Sequence, residues 1–184
     1  MFIARIIYPV EVLGPGKRIG IWFEGCPRRC KGCSNPELWV QQNQHDISTE
    51  HFKELILEIA NQKKIDGFTF TGGDPLFQPR DFLKAIAFCK EINADILVYT
   101  GYIKDEIDQG LLKDVAVLID GPYVERLNDG ALIRGSSNQN VYILNPLFQN
   151  KYDEYFSKSR NQIQNIVTDD GVISLGIHNR DFSL

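Results

Sequence analysis

The chain lacks a long apolar run, an excess of basic residues and any repeated or low-complexity segment. No apolar stretch approaches the roughly 20 residues that a helix needs to cross a bilayer, so we expect no membrane protein. A net charge of −4 over 184 residues argues against a general nucleic-acid binder. Residues 2–8 are apolar but short and contain Arg5, which predicts a first strand rather than a signal peptide. We therefore expect a cytoplasmic protein, in reducing surroundings where thiols stay free.

Cysteine is also scarce, yet three of the four cysteines lie on one short stretch. Cys26, Cys30 and Cys33 have the spacing Cys-x3-Cys-x2-Cys. They can converge on one metal centre, but they do not suit disulfides because their number is odd and their spacing tight. No further Cys-x-x-Cys pair completes a tetrahedral zinc site. Because an iron–sulfur cube normally takes four thiolates, three of them predict a cube with one iron open to bind and activate a ligand.

The residues around these cysteines suit a cluster-binding loop. Gly25 and Gly32 permit a close approach of the backbone, whose N–H groups can then bond to sulfur. Arg28, Arg29 and Lys31 place positive charge beside an anionic cluster. Alternatively, these charged residues lie on an ordinary solvent-exposed turn and have no role at a cluster.

The cysteine spacing after a first strand resembles the signature of radical S-adenosylmethionine enzymes. The longer string Gly-Cys-Pro-Arg-Arg-Cys-Lys-Gly-Cys-Ser-Asn-Pro-Glu-Leu-Trp, from Gly25 to Trp39, resembles the activating proteins of anaerobic ribonucleotide reductase. In the wider superfamily an aromatic residue often precedes the third cysteine, whereas Gly32 stands there in this chain and in the reductase-activase branch. The resemblance reaches about Leu144 and is strongest over 20–39, 67–75 and 115–139.

The order of predicted elements indicates an α/β fold with mostly parallel strands, because strands and helices alternate. The predicted strands are 2–8, 17–23, 67–71, 94–99, 115–119 and 141–144, and the predicted helices are 49–62, 79–92 and a weaker one at 103–112. Ser48 is the expected N-cap of the first helix. The resemblance implies a partial, laterally open (β/α) barrel of the radical S-adenosylmethionine type.

A C-terminal hairpin extension is expected after this core. Residues 163–168 and 172–177 flank Asp169-Asp170-Gly171, which is a good turn sequence for a hairpin. We see no linker that would split the chain. We therefore expect a single domain over 1–184, with a core of about 1–145 and an extension of about 146–184.

Four unusual sequences follow predicted strands: the cysteine loop, Gly72-Gly73-Asp74, Thr100-Gly101 and Asp120-Gly121-Pro122. Each alone is a common turn, but the carboxyl ends of parallel strands share one edge of a sheet, where sites form. The resemblance makes Gly72–Asp74 a Gly-Gly-Glu-type motif, with Asp74 in place of Glu. Its backbone carbonyls and the Asp74 carboxylate would accept the amino group of S-adenosylmethionine.

Further site residues follow from the same resemblance. Gly32, Cys33 and Ser34 would line the adenosyl side. Thr100 and Asp120 would complete the pocket, and Asp120, by position alone, would help to bind a monovalent cation. Arg134 would face the carboxylate of the ligand or the partner protein, or it is a surface arginine.

The remaining candidate ligands have simpler explanations. Cys89 lies on the apolar face of the second helix with Phe82 and Ile86, so we expect it in the core. His45, His51 and His178 show no ligand spacing among themselves.

The implied function is that of a glycyl-radical activase with a [4Fe–4S] cluster and S-adenosylmethionine. An electron from a flavodoxin-type donor cleaves the sulfonium, and a 5′-deoxyadenosyl radical removes hydrogen from a glycine of the partner, the large subunit of anaerobic ribonucleoside-triphosphate reductase. The short chain has no second domain to cover a small substrate, which favours a large one that inserts a loop. Two alternatives remain: a radical S-adenosylmethionine enzyme acting on a small molecule, nucleoside or peptide, and a non-enzymatic zinc module with Cys89 or a histidine as fourth ligand.

Overall fold

The computed structural model describes residues 1–169 and 171–178. Within these ranges the chain forms eight strands and four α-helices. The strands are β1 (Ile3–Val10), β2 (Arg18–Phe23), β3 (Gly67–Gly72), β4 (Ile96–Tyr99), β5 (Val117–Asp120), β6 (Asn140–Ile143), β7 (Ile163–Thr168) and β8 (Gly171–Gly176). The helices are α1 (Thr49–Ala60), α2 (Pro79–Ile92), α3 (Gln109–Leu112) and α4 (Gln149–Lys158).

The first six strands form one sheet in the order β1-β2-β3-β4-β5-β6. The four central strands are parallel, which confirms the α/β prediction. The two outer strands, β1 and β6, run antiparallel to their neighbours. At the β1 edge the reason is the connection, since the residues between β1 and β2 are too few for the crossover that a parallel pair needs.

One face of the sheet packs against α1 and α2, and we call it the helical face. Alternate strand residues point to it, among them Ile21, Phe70 and Val98, which are fully buried. The helices contribute a matching apolar stripe that includes Phe52 and Phe82. This burial of apolar surface is the main source of stability on the helical face.

The opposite face of the sheet, which we call the cavity face, is covered by the C-terminal extension. Tyr152 of α4 packs with Leu97 and Val117, and Leu175 of β8 packs with Val10 and Trp22. The hairpin predicted at 163–168 and 172–177 is confirmed by the pairing of β7 with β8. Its turn residue Asp170 lies outside the described residues.

Helix α4 was missed by the sequence analysis, although Tyr152, Tyr155 and Phe156 follow helical spacing. These three are its only large apolar residues among charged and amide side chains, so the stripe is weak. Of the helix predicted at 103–112, only α3 at Gln109–Leu112 forms, and the rest of the prediction is wrong. A short 3-10 turn at Lys104–Glu106 ends at Ile107, and Asp108 then caps α3 by accepting a 2.7 Å hydrogen bond from the Gly110 N–H.

The other helix predictions are confirmed. Helix α2 has the predicted bounds, and the Ser48 side chain caps α1 by accepting from the His51 N–H at 3.0 Å. Cys89 is fully buried in the helical-face core, as expected. Over the described residues, no helix is both long and apolar enough to span a membrane.

Candidate cluster and cofactor site

The cysteine loop begins directly after β2, at the carboxyl end of that strand. Its base is closed by two backbone hydrogen bonds, from Gly25 N to Leu38 O (2.8 Å) and from Cys26 N to Trp39 O (3.1 Å). Inside the loop, Cys33 N donates to Cys30 O at 3.2 Å. The loop is therefore held as a unit on the sheet edge, by backbone contacts that leave its side chains available.

The three cysteines are free, half-buried and line one cavity. Burial raises the pKa of the Cys26 and Cys30 thiols, while backbone N–H groups of Arg28 and Tyr123 oppose that rise. Among the described residues, no three His, Cys, Asp or Glu side chains already stand at metal-binding distance. The loop thus brings three free thiols to one cavity.

The ends of the next parallel strands meet at the same cavity, as the sequence predicted. Gly72 at the end of β3, Gly73 after it, and Thr100 and Gly101 after β4 all line it. Gly72 has φ of +113°, and a Cβ there would lie 2.3 Å from the Phe23 carbonyl oxygen. Only glycine allows the two strand ends to approach this closely.

Three residues that line the cavity each have a buried polar atom with no hydrogen-bond partner among the described residues. These atoms are Arg28 Nε, Trp39 Nε1 and the Tyr99 hydroxyl. Buried donors without acceptors are rare in folded proteins and call for a bound group. An iron–sulfur cluster with its anionic sulfides, together with a ligand that carries a carboxylate and hydroxyls, supplies such acceptors. The residues present therefore fit both groups.

Comparison with known proteins agrees with this geometry. A family described as a 4Fe-4S single cluster domain matches residues 12–142. The anaerobic ribonucleoside-triphosphate reductase-activating protein of Salmonella typhi is 38% identical over 149 residues, which cover 74% of this chain and 96% of that protein. The protein of the same name from Enterobacteria phage T4 is 37% identical over 142 residues, covering 74% and 90%.

This chain belongs to the family of anaerobic ribonucleoside-triphosphate reductase-activating proteins. A more distant relative is the pyruvate formate-lyase-activating enzyme of Clostridium pasteurianum, 30% identical over 115 residues that cover 61% of this chain and 48% of that enzyme. Family membership confirms the resemblance drawn from residues 25–39. It makes the chain a radical S-adenosylmethionine oxidoreductase whose cofactors are a [4Fe–4S] cluster and S-adenosylmethionine. The zinc-module alternative is thereby set aside.

The structure of this activase places the predicted site residues in two groups. Those that line the cavity are Cys26, Cys30, Cys33, Ser34, Gly72, Gly73 and Thr100. Four others are not among the described residues that line it: Gly32, Asp74, Asp120 and Arg134. Residues that the sequence analysis did not assign, Trp39 and Tyr99 among them, also form the wall. Trp39 is the last residue of the string Gly25 to Trp39 that resembles the family, so the sequence could have assigned it to the site. Tyr99 lies in a predicted buried strand, and nothing else in the sequence marked it as a site residue.

Asp74 is buried behind the cavity and its carboxylate is already bonded. It accepts from Leu76 N (3.0 Å), from Thr100 Oγ1 (2.9 and 3.1 Å to its two oxygens) and from Gly101 N (2.9 Å). Burial raises its pKa to about 6, although these donors oppose the rise. Its carboxylate therefore joins the ends of β3 and β4, and its contact with the cofactor stays a prediction.

Asp120 and Arg134 are likewise engaged elsewhere. The carboxylate of Asp120 is 1% exposed and accepts from Lys104 N at 2.8 Å and from Asn140 N at 3.2 Å. It therefore connects the loop after β4 to β6. Arg134 Nη2 donates to Asp129 at 3.1 Å on the surface. Gly32 packs against Glu125, since a Cβ there would lie 2.9 Å from Oε1 of that side chain.

Proposed function

We propose that this activase generates a glycyl radical on a partner enzyme, the large subunit of anaerobic ribonucleoside-triphosphate reductase. The observation that carries the proposal is one cavity shared by three free thiols, the glycine-rich end of β3 and buried donors without acceptors. The relatives that bear this name match the chain over nearly their whole length.

Cys26, Cys30 and Cys33 would hold the cluster, with one iron left for S-adenosylmethionine. When bound, the reduced cluster would supply the electron for reductive cleavage of S-adenosylmethionine, and this chemistry would remove a hydrogen atom from the partner glycine. The residues of the chain bind and orient these groups and exclude water.

The backbone around Gly72 and Gly73 would accept the amino group of S-adenosylmethionine. The carbonyl groups there are the better candidates because the Asp74 carboxylate is already bonded to three donors. Arg28 is suited to an anionic neighbour, since its Nε is buried without an acceptor among the described residues. Its guanidinium is fixed over the Tyr102 ring, 4.9 Å from the centroid.

Aromatic side chains would keep water from the reacting groups. Trp22, Trp39, Tyr99 and Tyr123 all line the cavity. The Tyr99 hydroxyl is protonated at neutral pH and can donate, and burial raises its pKa further above the ordinary value. A cavity wall that is mostly apolar and carries a few fixed hydrogen-bond donors suits a reaction in which a radical must be protected from solvent.

Several finer features belong to the same proposal. We take the six-stranded sheet to be a partial, laterally open barrel of the radical S-adenosylmethionine type and the chain to be one domain. A flavodoxin-type protein would supply the electron in the cytoplasm. A cation site at Asp120 and a ligand contact of Arg134 stay predictions.

The test is an anaerobic mixture of the reconstituted activase, S-adenosylmethionine, a reductant and the reductase subunit. We expect the doublet of a glycyl radical in the electron paramagnetic resonance spectrum, on the reductase alone. A variant reductase with alanine at the radical-bearing glycine is the matched control and should give no doublet. Turnover of a free small molecule in place of this signal would favour the small-substrate alternative.

A further inference from the structure

The C-terminal hairpin forms part of the cavity wall. Five consecutive residues of β8 and the segment after it line the cavity: Ser174, Leu175, Gly176, Ile177 and His178. They lie well beyond residue 142, where the family match ends. The cavity is therefore composite, because the cysteines and strand ends belong to the family core and this wall does not.

The hairpin is fixed to the core at three places. Leu175 is 3% exposed and packs in a cluster with Leu13 and Trp22. The Gln164 amide donates to Pro9 O at 2.8 Å and accepts from Glu11 N at 3.0 Å. Such anchors hold the wall in one position relative to the cysteines.

The third anchor lies at the cavity itself and is polar. Asn128 Nδ2 donates to the carbonyl oxygen of His178 at 2.8 Å, and it lies 3.3 Å from the Tyr123 hydroxyl. Both Asn128 and Tyr123 line the cavity. Tyr123 also lies near the cysteines, since its backbone N–H is one of the groups that oppose the rise in the pKa of the Cys30 thiol. The hairpin wall and the cysteine loop are thus connected through two residues.

The hairpin wall carries hydrogen-bonding groups without a permanent charge. Ser174 Oγ and His178 Nε2 lie 2.9 Å apart, and both residues are half-buried. Burial lowers the pKa of His178, so that its ring is neutral at pH 7. Neutral donors and acceptors match the hydroxyls of a ribose and the edge of an adenine, and a neutral ring does not repel a sulfonium.

We propose that Ser174 and His178 bind the nucleoside part of S-adenosylmethionine. The inference rests on the proposed function and adds a binding wall from outside the family core. A partner peptide is the other occupant to consider, but it would first meet the exposed end of the hairpin, where Val167 is 81% exposed and Val172 53%. The half-buried polar pair suits a small ligand that fills the cavity.

The test measures binding of S-adenosylmethionine to anaerobically reconstituted protein by equilibrium dialysis. Loss of one hydrogen bond in His178→Phe or Ser174→Ala should weaken binding about tenfold. His178→Gln keeps a donor and should bind more tightly than His178→Phe. Val172→Thr, on the exposed part of the same hairpin, is the matched control and should bind as the unchanged protein does.

A second readout is the change that S-adenosylmethionine causes in the spectrum of the reduced cluster. In His178→Phe and Ser174→Ala, this spectral change should need a higher concentration of S-adenosylmethionine, by the same factor as the loss of affinity in dialysis. Iron content and melting temperature show that each variant is folded and loaded. Unchanged affinity in both variants would overturn the inference while leaving the proposed function intact, even if reductase activation fell. If the unchanged, loaded protein bound no S-adenosylmethionine, the proposed function itself would fail.

Discussion

The two faces of the six-stranded sheet differ in what their side chains do. On the helical face, the rings of Phe23, Phe70 and Phe82 pack with centroids 5.8 to 6.5 Å apart, and Cys89 is an inert part of that core. On the cavity face the same strands carry buried polar groups, among them Arg18. Alternation along each strand thus lets one sheet hold an apolar core on one side and a site on the other.

The polar groups of the cavity face also attach the C-terminal extension. Asp95 accepts from Arg18 Nη2 at 3.2 Å and from the Tyr152 hydroxyl of α4 at 2.8 Å. Burial alone would raise the pKa of Asp95, but Arg18 and Lys151 hold it below its ordinary value. The helical face depends on apolar burial, whereas the cavity face depends on a charge that must stay paired.

The largest expected difference between the faces concerns their cysteines. Cys30→Ala removes a cluster ligand and should abolish most bound iron and sulfide. Cys89→Ala should keep both and lower the free energy of unfolding by about 1 kcal/mol, because it removes one buried apolar atom. Iron and sulfide analysis after anaerobic reconstitution, with urea unfolding of the metal-free proteins, measures both effects. Equal loss of iron in the two variants would contradict the comparison.

The next largest effect tests the buried charge. Asp95→Ala leaves the fully buried Arg18 without its carboxylate and should lower the free energy of unfolding by about 3 to 5 kcal/mol. Tyr152→Phe removes one neutral donor to the same carboxylate and should cost about 1 kcal/mol. Urea unfolding of the metal-free proteins separates the two. Similar losses would contradict the claim that the buried charge pair contributes more to stability than the hydrogen bond from Tyr152.

Asp74 gives the cavity face a dependence on pH. Its pKa is raised from 3.8 to about 6 in the folded chain, so the folded state binds the proton more tightly than the unfolded state. The stability that this tighter proton binding contributes is fully present well below pH 3.8 and is lost as the pH rises through about 6. The free energy of unfolding, relative to Asp74→Asn, should fall by about 2 kcal/mol between pH 4 and pH 7.

Urea titrations of the two metal-free proteins across that range measure this difference. A difference that does not change with pH would show that Asp74 keeps an ordinary pKa. Among the described residues, the core of the helical face contains no buried carboxyl group, so Cys89→Ala should show no such trend over the same range.

The smallest effect belongs to the helical face alone. Ser48→Ala removes the side-chain oxygen that caps α1 and should lower the free energy of unfolding by about 1 kcal/mol. Iron content and affinity for S-adenosylmethionine should not change, because α1 packs on the side of the sheet away from the cavity. Ser48→Asp, which keeps a capping oxygen, should restore most of the stability. A fall in iron content would show that the two faces are coupled.

The sequence predicted what local signals determine. The cysteine spacing, the apolar stripe of α2 and the Ser48 cap each lie within a few residues, and each was found. The position of the hairpin over the cavity depends on contacts between Leu175 and residues such as Leu13, far apart in the chain, and no local pattern reports them. The contact of Asp74 with the cofactor stays a prediction, and nothing in the sequence revealed that Thr100 and Gly101 would donate to its oxygens.

The most direct test of the central claim is a Mössbauer spectrum of the iron-labelled, reconstituted protein with and without S-adenosylmethionine. The account predicts a [4Fe–4S] cluster in which one iron differs from the rest and changes its spectrum when the ligand is added. A spectrum that the ligand leaves unchanged, with all irons alike, would mean that the protein itself occupies every position, and it would contradict the account.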